Sequence, residues 1–112
     1  MNNTKKIDYI SEWIKSYVNA MEKPAQSLIV GISGGIDSAL SSTLSSLTGI
    51  KTIAISMPIS TNQNPSDLGR IHGEWLTDKF TNSSYINIDL TDSYKVFHSR
   101  LSDMEQSSEL GF

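Results

Sequence analysis

No cysteine occurs in the 112 residues. Its absence excludes a disulfide framework and any zinc site built on thiolates. The two histidines, His72 and His98, fall in predicted helices and are not spaced as paired ligands, so no histidine-based metal site is expected. No basic run exists either. Nine Lys and Arg against twelve Asp and Glu leave a net charge of −3 and a pI near 5.2, so nucleic acid is not an expected partner. No apolar run approaches the length that spans a bilayer. Met1–Lys6 is not followed by a signal-type apolar core, because residues 7–21 are amphipathic. These absences leave a soluble cytoplasmic protein, without a membrane partner, as the expectation. Repeats and low-complexity segments are also missing, and the length suits one small domain with a modest core.

What is present is a regular alternation of helical and strand patterns. Ile7, Ile10, Trp13, Ile14, Tyr17, Val18 and Met21 recur at helical spacing, and Pro24 helps to end that helix. Ser27 to Ile32 is a nearly unbroken apolar run, as expected of a parallel strand. Ser38 to Leu47 predicts a second helix with Leu40, Leu44 and Leu47 on one face and Gly49 as C-terminal cap. Its serines are weak helix formers, so this helix is expected to lean on tertiary packing. Lys51 to Met57 predicts a second strand, ended by Pro58. Asn64-Pro65-Ser66-Asp67 has the composition of a helix start, with Leu68, Ile71, Trp75, Leu76 and Phe80 as the inner face. Ser84 to Leu90 predicts a third strand. Thr91 is placed as the cap of a last helix carrying Tyr94, Phe97 and Leu101. Asp89 and Asp92 are assigned turn and cap roles, and Arg70 and Arg100 solvated helix faces. The order α-β-α-β-α-β-α implies a parallel sheet with helical crossovers, an α/β fold.

The chemistry concentrates at residues 31–38, G-I-S-G-G-I-D-S. A buried strand runs into a glycine-rich turn and a helix starts at once, which points backbone N–H groups and a helix N-terminus at one spot and favours phosphate. Asp37 in the same turn makes sense when a divalent cation lies between its carboxylate and the phosphate oxygens. A nucleoside triphosphate with Mg²⁺ is therefore the expected ligand. Gly34 and Gly35 allow close backbone approach and positive φ, and Ser33 and Ser38 offer hydroxyl donors. Two common phosphate loops fail here. The Walker type needs Lys-Ser/Thr where Asp37-Ser38 stands, and Gly31, Gly34 and Gly35 have the wrong spacing for G-x-G-x-x-G.

The remaining match is S-G-G-x-D-S, residues 33–38, which resembles the pyrophosphate loop of the N-type ATP pyrophosphatases, a superfamily that includes NAD, GMP and asparagine synthetases. Ile36 does not decide among them. The amphipathic helix before the loop, the I-S-M-P end of the second strand and the T-N-Q-N-P-S-D stretch look most like ammonia-dependent NAD synthetases, over about residues 7 to 112. The resemblance implies a three-layer, Rossmann-like sheet of the adenine-nucleotide α-hydrolase type, cut to about three strands with flanking helices. It implies that Gly31, Ile32, Ser33, Gly34, Gly35, Ile36, Asp37 and Ser38 bind ATP, with Asp37 holding Mg²⁺, and that Ile55 to Met57 flank adenine. Met57 would be an apolar purine contact, core packing being the competing role. It further implies ATP, deamido-NAD and ammonia as substrates and a homodimer when full length. In that family an arginine-rich element, a second metal-binding glutamate and a T-K-Y-G-D loop follow the last helix. Residues 1–112 are thus expected to be the N-terminal part of a single, incomplete ATP pyrophosphatase domain. Strand one would then be an edge strand, and the chain alone would bind nucleotide without turnover.

Overall fold

The computed structural model describes residues 2–59 and 68–107. The chain runs α1 (Asn3–Asn19), β1 (Ser27–Gly31), α2 (Ile36–Leu47), β2 (Lys51–Ser56), α3 (Leu68–Lys79), β3 (Ser83–Asn87) and α4 (Thr91–Ser107). The three strands form one parallel sheet in the order β1-β2-β3. Val30 stands opposite Ala54, and Ala54 opposite Tyr85. The expected α/β architecture and the edge position of β1 among the described strands are both present. The helix start expected at Asn64–Asp67 lies outside the described residues.

Local chemistry accounts for several of the helix boundaries. Asn2 caps α1 by accepting the N–H of Lys5 at 2.8 Å. α1 stops at Asn19, ahead of Pro24, so the proline is not its immediate terminator. α2 ends at Leu47 and Gly49 takes φ +81° just beyond it, the left-handed residue that commonly closes a helix. Asp89 Oδ1 accepts the N–H of Thr91 at 2.8 Å. The Asp89 carboxylate thus satisfies the first amide of α4, and Thr91 is already the first helical residue. β3 is shorter than the apolar pattern suggested. Ladder-like bonds do continue beyond it, from Ile88 N–H to the Ser56 carbonyl (2.8 Å) and Leu90 N–H to the Pro58 carbonyl (3.0 Å).

α2 and α3 pack on β2 and against each other, so they share one face of the sheet. Thr52, Ala54 and Ser56 alternate toward them and are buried. The apolar core is small: Ile32, Ala54 and Leu76, with Phe80 and Tyr85 against it. Serines supply much of the rest. Ser42, Ser45 and Ser46 are buried in α2 and return their hydroxyls to the helix at 2.8–3.0 Å. Ser83 Oγ donates to Ser46 Oγ at 2.7 Å, and Asn82 Nδ2 donates to the carbonyls of Ser46 and Ile50. The tertiary support expected for this helix is thus largely polar, and every buried hydroxyl in it has a partner.

The inner face of α3 differs from expectation. Leu68, Ile71 and Trp75 are exposed, while Gly69, Gly73 and Leu76 are buried. The physical reason is the Tyr85 ring, which occupies the space that a side chain at position 73 would need. Leu40 and Leu47 of α2 are likewise exposed, and only Leu44 of the expected trio is buried. Much of the α1 stripe (Ile7, Ile10, Trp13, Tyr17, Met21) and the α4 apolar residues (Tyr94, Val96, Phe97, Leu101, Met104) are exposed too.

Ser11 of α1 is buried with no partner for its Oγ. An orphan hydroxyl costs about 1–3 kcal/mol and alanine is the better helix former. Ser11→Ala is expected to raise stability by about 1 kcal/mol in urea unfolding; equal or lower stability would mean the hydroxyl is satisfied in solution.

Candidate functional site

β1 delivers the chain to the carboxyl edge of the sheet, where Ile32 N–H makes one more ladder bond, to the Ile55 carbonyl at 2.8 Å. The loop then turns on Gly34, whose φ of +92° is open mainly to glycine. Gly35 is different: φ −84° and ψ 167° are ordinary extended values, so it does not supply the positive φ expected of it. It serves as the N-cap of α2 and places no side chain on the first turn. The amides of Ile36, Asp37 and Ser38 precede the helix's own bonding, whose first member is Ala39 N–H to the Gly35 carbonyl. Those amides and the positive helix end stand at the loop with no side-chain cap, an arrangement suited to an anion.

The two serines hold the loop in shape. Ser38 Oγ accepts Ser33 N–H at 3.0 Å and donates to the Gly35 carbonyl at 3.3 Å. Ser33 Oγ accepts Gly35 N–H at 3.3 Å and lies 3.2 Å from Ser38 Oγ. Both hydroxyls therefore work inside the loop, a role not foreseen from their chemistry as donors. Asp37 is exposed in the first turn of α2. Among the described residues no three His, Asp or Glu side chains gather as a metal cluster. One carboxylate is nevertheless the protein ligand set on which Mg²⁺ relies when substrate phosphates and waters complete its octahedron. Asp37 fits that demand.

A cavity of about 460 Å³ opens at the same edge, lined by Gly31, Ile32, Ser33, Ser56, Met57, Pro58, Gly69, Arg70, Tyr85 and Asn87. Of the predicted site residues it gathers Gly31, Ile32, Ser33, Ser56 and Met57, whereas Gly34–Ser38 and Ile55 do not line it. Ile32 faces the core with its side chain, 5% exposed. Met57, at 51% exposed, is not core, so packing does not account for it. Ser56 Oγ and Tyr85 Oη are 2.7 Å apart in the wall. Arg70 is exposed, as expected, but also borders the cavity, its guanidinium 3.2 Å from the Glu74 carboxylate. Sequence reasoning missed Pro58, Gly69, Arg70, Tyr85 and Asn87. The available signal was Gly69 and Gly73 four residues apart on one helix, where each glycine costs about 1 kcal/mol against alanine unless close packing needs it.

Comparisons with known proteins bear on the family and the fold. The NH(3)-dependent NAD(+) synthetase of Mycoplasmopsis pulmonis (strain UAB CTIP) is 39% identical over 89 residues, spanning 77% of this chain and 32% of that protein. Among solved structures, the NMN synthetase of Francisella tularensis superimposes with a TM-score of 0.73 at 24% identity, over 92% of this chain and 41% of its own. The NH3-dependent NAD synthetase of Campylobacter jejuni subsp. jejuni NCTC 11168, solved in complex with the nitrate ion, gives 0.64 at 24% identity, over 100% and 44%. The two superpositions establish the fold, and the chain spans less than half the length of each of these relatives. The NAD synthase family model matches residues 6–111, and the chain therefore belongs to that family.

Proposed function

We propose that this chain carries the ATP-binding part of an ammonia-dependent NAD synthetase, with residues 1–112 as the N-terminal part of its catalytic domain. The observation that carries the reading is the S-G-G-x-D-S loop itself, turned on Gly34 at φ +92° and opening onto the uncapped N-terminus of α2. In this reading the amides of Gly34 and Ile36–Ser38 hold the pyrophosphate portion of ATP, and the cavity beside Met57 takes the adenosine. Asp37 would hold Mg²⁺, which when bound offsets charge on the phosphate oxygens.

The reaction proposed for the complete enzyme has two steps. The carboxylate of deamido-NAD attacks the α-phosphorus of ATP, and the bond to the pyrophosphate oxygen breaks. Ammonia then attacks the resulting acyl adenylate, AMP leaves, and a proton is lost to give the amide of NAD. A loop of amides suits this chemistry because its task is to hold the leaving pyrophosphate. The exposed apolar stripes of α1 and α4 fit surfaces covered by the remainder of the domain or by a second subunit, in keeping with a homodimer. No helix among the described residues is long and apolar enough to cross a membrane, which is in keeping with a cytoplasmic enzyme.

Calorimetric titration with Mg·ATP tests the binding role. Asp37→Ala is expected to weaken Mg·ATP binding by about tenfold or more, the scale of one charge-assisted contact, while binding of ATP without Mg²⁺ changes little. Equal Mg·ATP affinity in parent and variant would remove the metal role of Asp37.

A further inference from the structure

α3 backs the phosphate loop. A side chain carbon added at Gly34 would lie 3.1 Å from Leu68 Cβ and 3.2 Å from the Gly69 nitrogen, so the start of α3 rests against the turn. One helical turn on, His72 Nε2 lies 2.8 Å from Ser42 Oγ of α2. Ser42 is fully buried, and its Oγ is also 2.8 Å from the Ser38 carbonyl and 3.0 Å from the Ala39 carbonyl. A serine hydroxyl has one proton. With that proton directed at the carbonyls, the imidazole is the donor and carries its hydrogen on Nε2. The ring stacks on Trp75, centroids 5.5 Å apart, which fixes its plane. Burial lowers the His72 pKa below its ordinary value, opposed by a hydrogen bond to the Ala39 backbone.

We infer that His72 is a positioning residue for the phosphate loop: its Nε2–H ties α3 to the first turn of α2 through Ser42 and so holds Ser33–Ser38 in the anion-receiving shape. The path is short. Ser42 Oγ meets the carbonyl of Ser38, and Ser38 Oγ is the group that closes the loop on Ser33 and Gly35. The contact through Ser42 is a polar link between the loop helix and the helix behind it. As far as it concerns nucleotide, the inference rests on the proposed function; as far as it concerns loop order, it does not.

The test uses His72→Leu, which keeps bulk and removes the donor, and His72→Gln, whose amide nitrogen replaces Nε2–H. Amide hydrogen exchange is read without ligand at Ser33 and Ala39, whose N–H groups close the loop and the first turn of α2. His72→Leu is expected to speed exchange there about tenfold while β2 amides keep their rates, as a local opening does, and His72→Gln is expected to restore protection. Should His72→Leu unfold, Ser42→Ala is expected to give the same local loosening. Unchanged loop exchange, acceleration spread evenly over the sheet, or a His72→Gln variant as fast as His72→Leu would overturn the inference. Mg·ATP titration is the second arm, with an expected loss of about fivefold in His72→Leu and recovery in His72→Gln. If the parent does not bind Mg·ATP, the nucleotide reading fails, and the exchange result still decides whether His72 orders the loop.

Discussion

Gly73→Ala lowers the stability of this domain by about 2–3 kcal/mol, the cost of forcing extra volume into a filled site. The expectation runs against helix propensity, which alone would make the alanine variant about 1 kcal/mol more stable. Packing decides the sign. A Cβ at position 73 would fall on the Tyr85 ring, 2.6 Å from both Cγ and Cε1. The ring has little room to retreat: β3 is held in register with β2, and Tyr85 Oη bonds Ser56 Oγ at 2.7 Å. Moving it would break that bond and reshape the cavity wall that both residues form. Urea unfolding of parent and variant reads the difference directly. A variant more stable than the parent by about 1 kcal/mol would show that propensity governs, and that α3 does not approach the sheet as closely as described.

Gly34→Ala is expected to weaken the proposed Mg·ATP binding by about 10–100-fold, with much less effect on global stability. A residue with a Cβ pays about 1–2 kcal/mol to hold a left-handed conformation, and here φ is +92°. The new methyl also meets Leu68 Cβ at 3.1 Å and the Gly69 nitrogen at 3.2 Å, and the second of these is backbone. The loop, being at the surface, yields before α3 does. Gly35→Ala is the control. Its φ is −84°, and the nearest atom to an added Cβ is Ser33 Oγ at 3.5 Å, an ordinary contact. Its Mg·ATP affinity is expected to stay within about threefold of the parent, a difference under 1 kcal/mol. Equal losses at the two positions would mean that bulk near the anion, and not the backbone conformation of Gly34, sets the effect.

The contrast between these glycines shows where the sequence was legible. The alternation of apolar runs and helical patterns led to the α/β class, the seven elements and the loop, because the strands are short apolar runs between turn residues and S-G-G-x-D-S depends on local backbone chemistry. The faces were harder to read. Periodicity marks where apolar side chains recur, and on α3 it selected Leu68, Ile71 and Trp75, which are exposed, over Gly69 and Gly73, which are buried. A glycine adds no hydropathy to a pattern; its burial follows from the Tyr85 ring on another element, a tertiary fact. The same holds for the cavity. Arg70, Tyr85 and Asn87 come from α3 and β3 and converge on Gly31–Ser33 only once the sheet is assembled. Ser42 and His72, thirty residues apart, meet for the same reason.

In the proposed reading Gly34–Ser38 grip the phosphates of ATP while the neighbouring cavity takes its adenosine. Backbone amide NMR of the chain titrated with Mg·ATP, then with inorganic pyrophosphate, tests it most directly. Mg·ATP is expected to shift the amides of Gly34–Ser38 together with those around Met57, and pyrophosphate to shift the loop set alone. Shifts confined to other surfaces, or a loop unmoved by either ligand at millimolar concentration (a Kd of 1 mM is only about −4 kcal/mol), would contradict it.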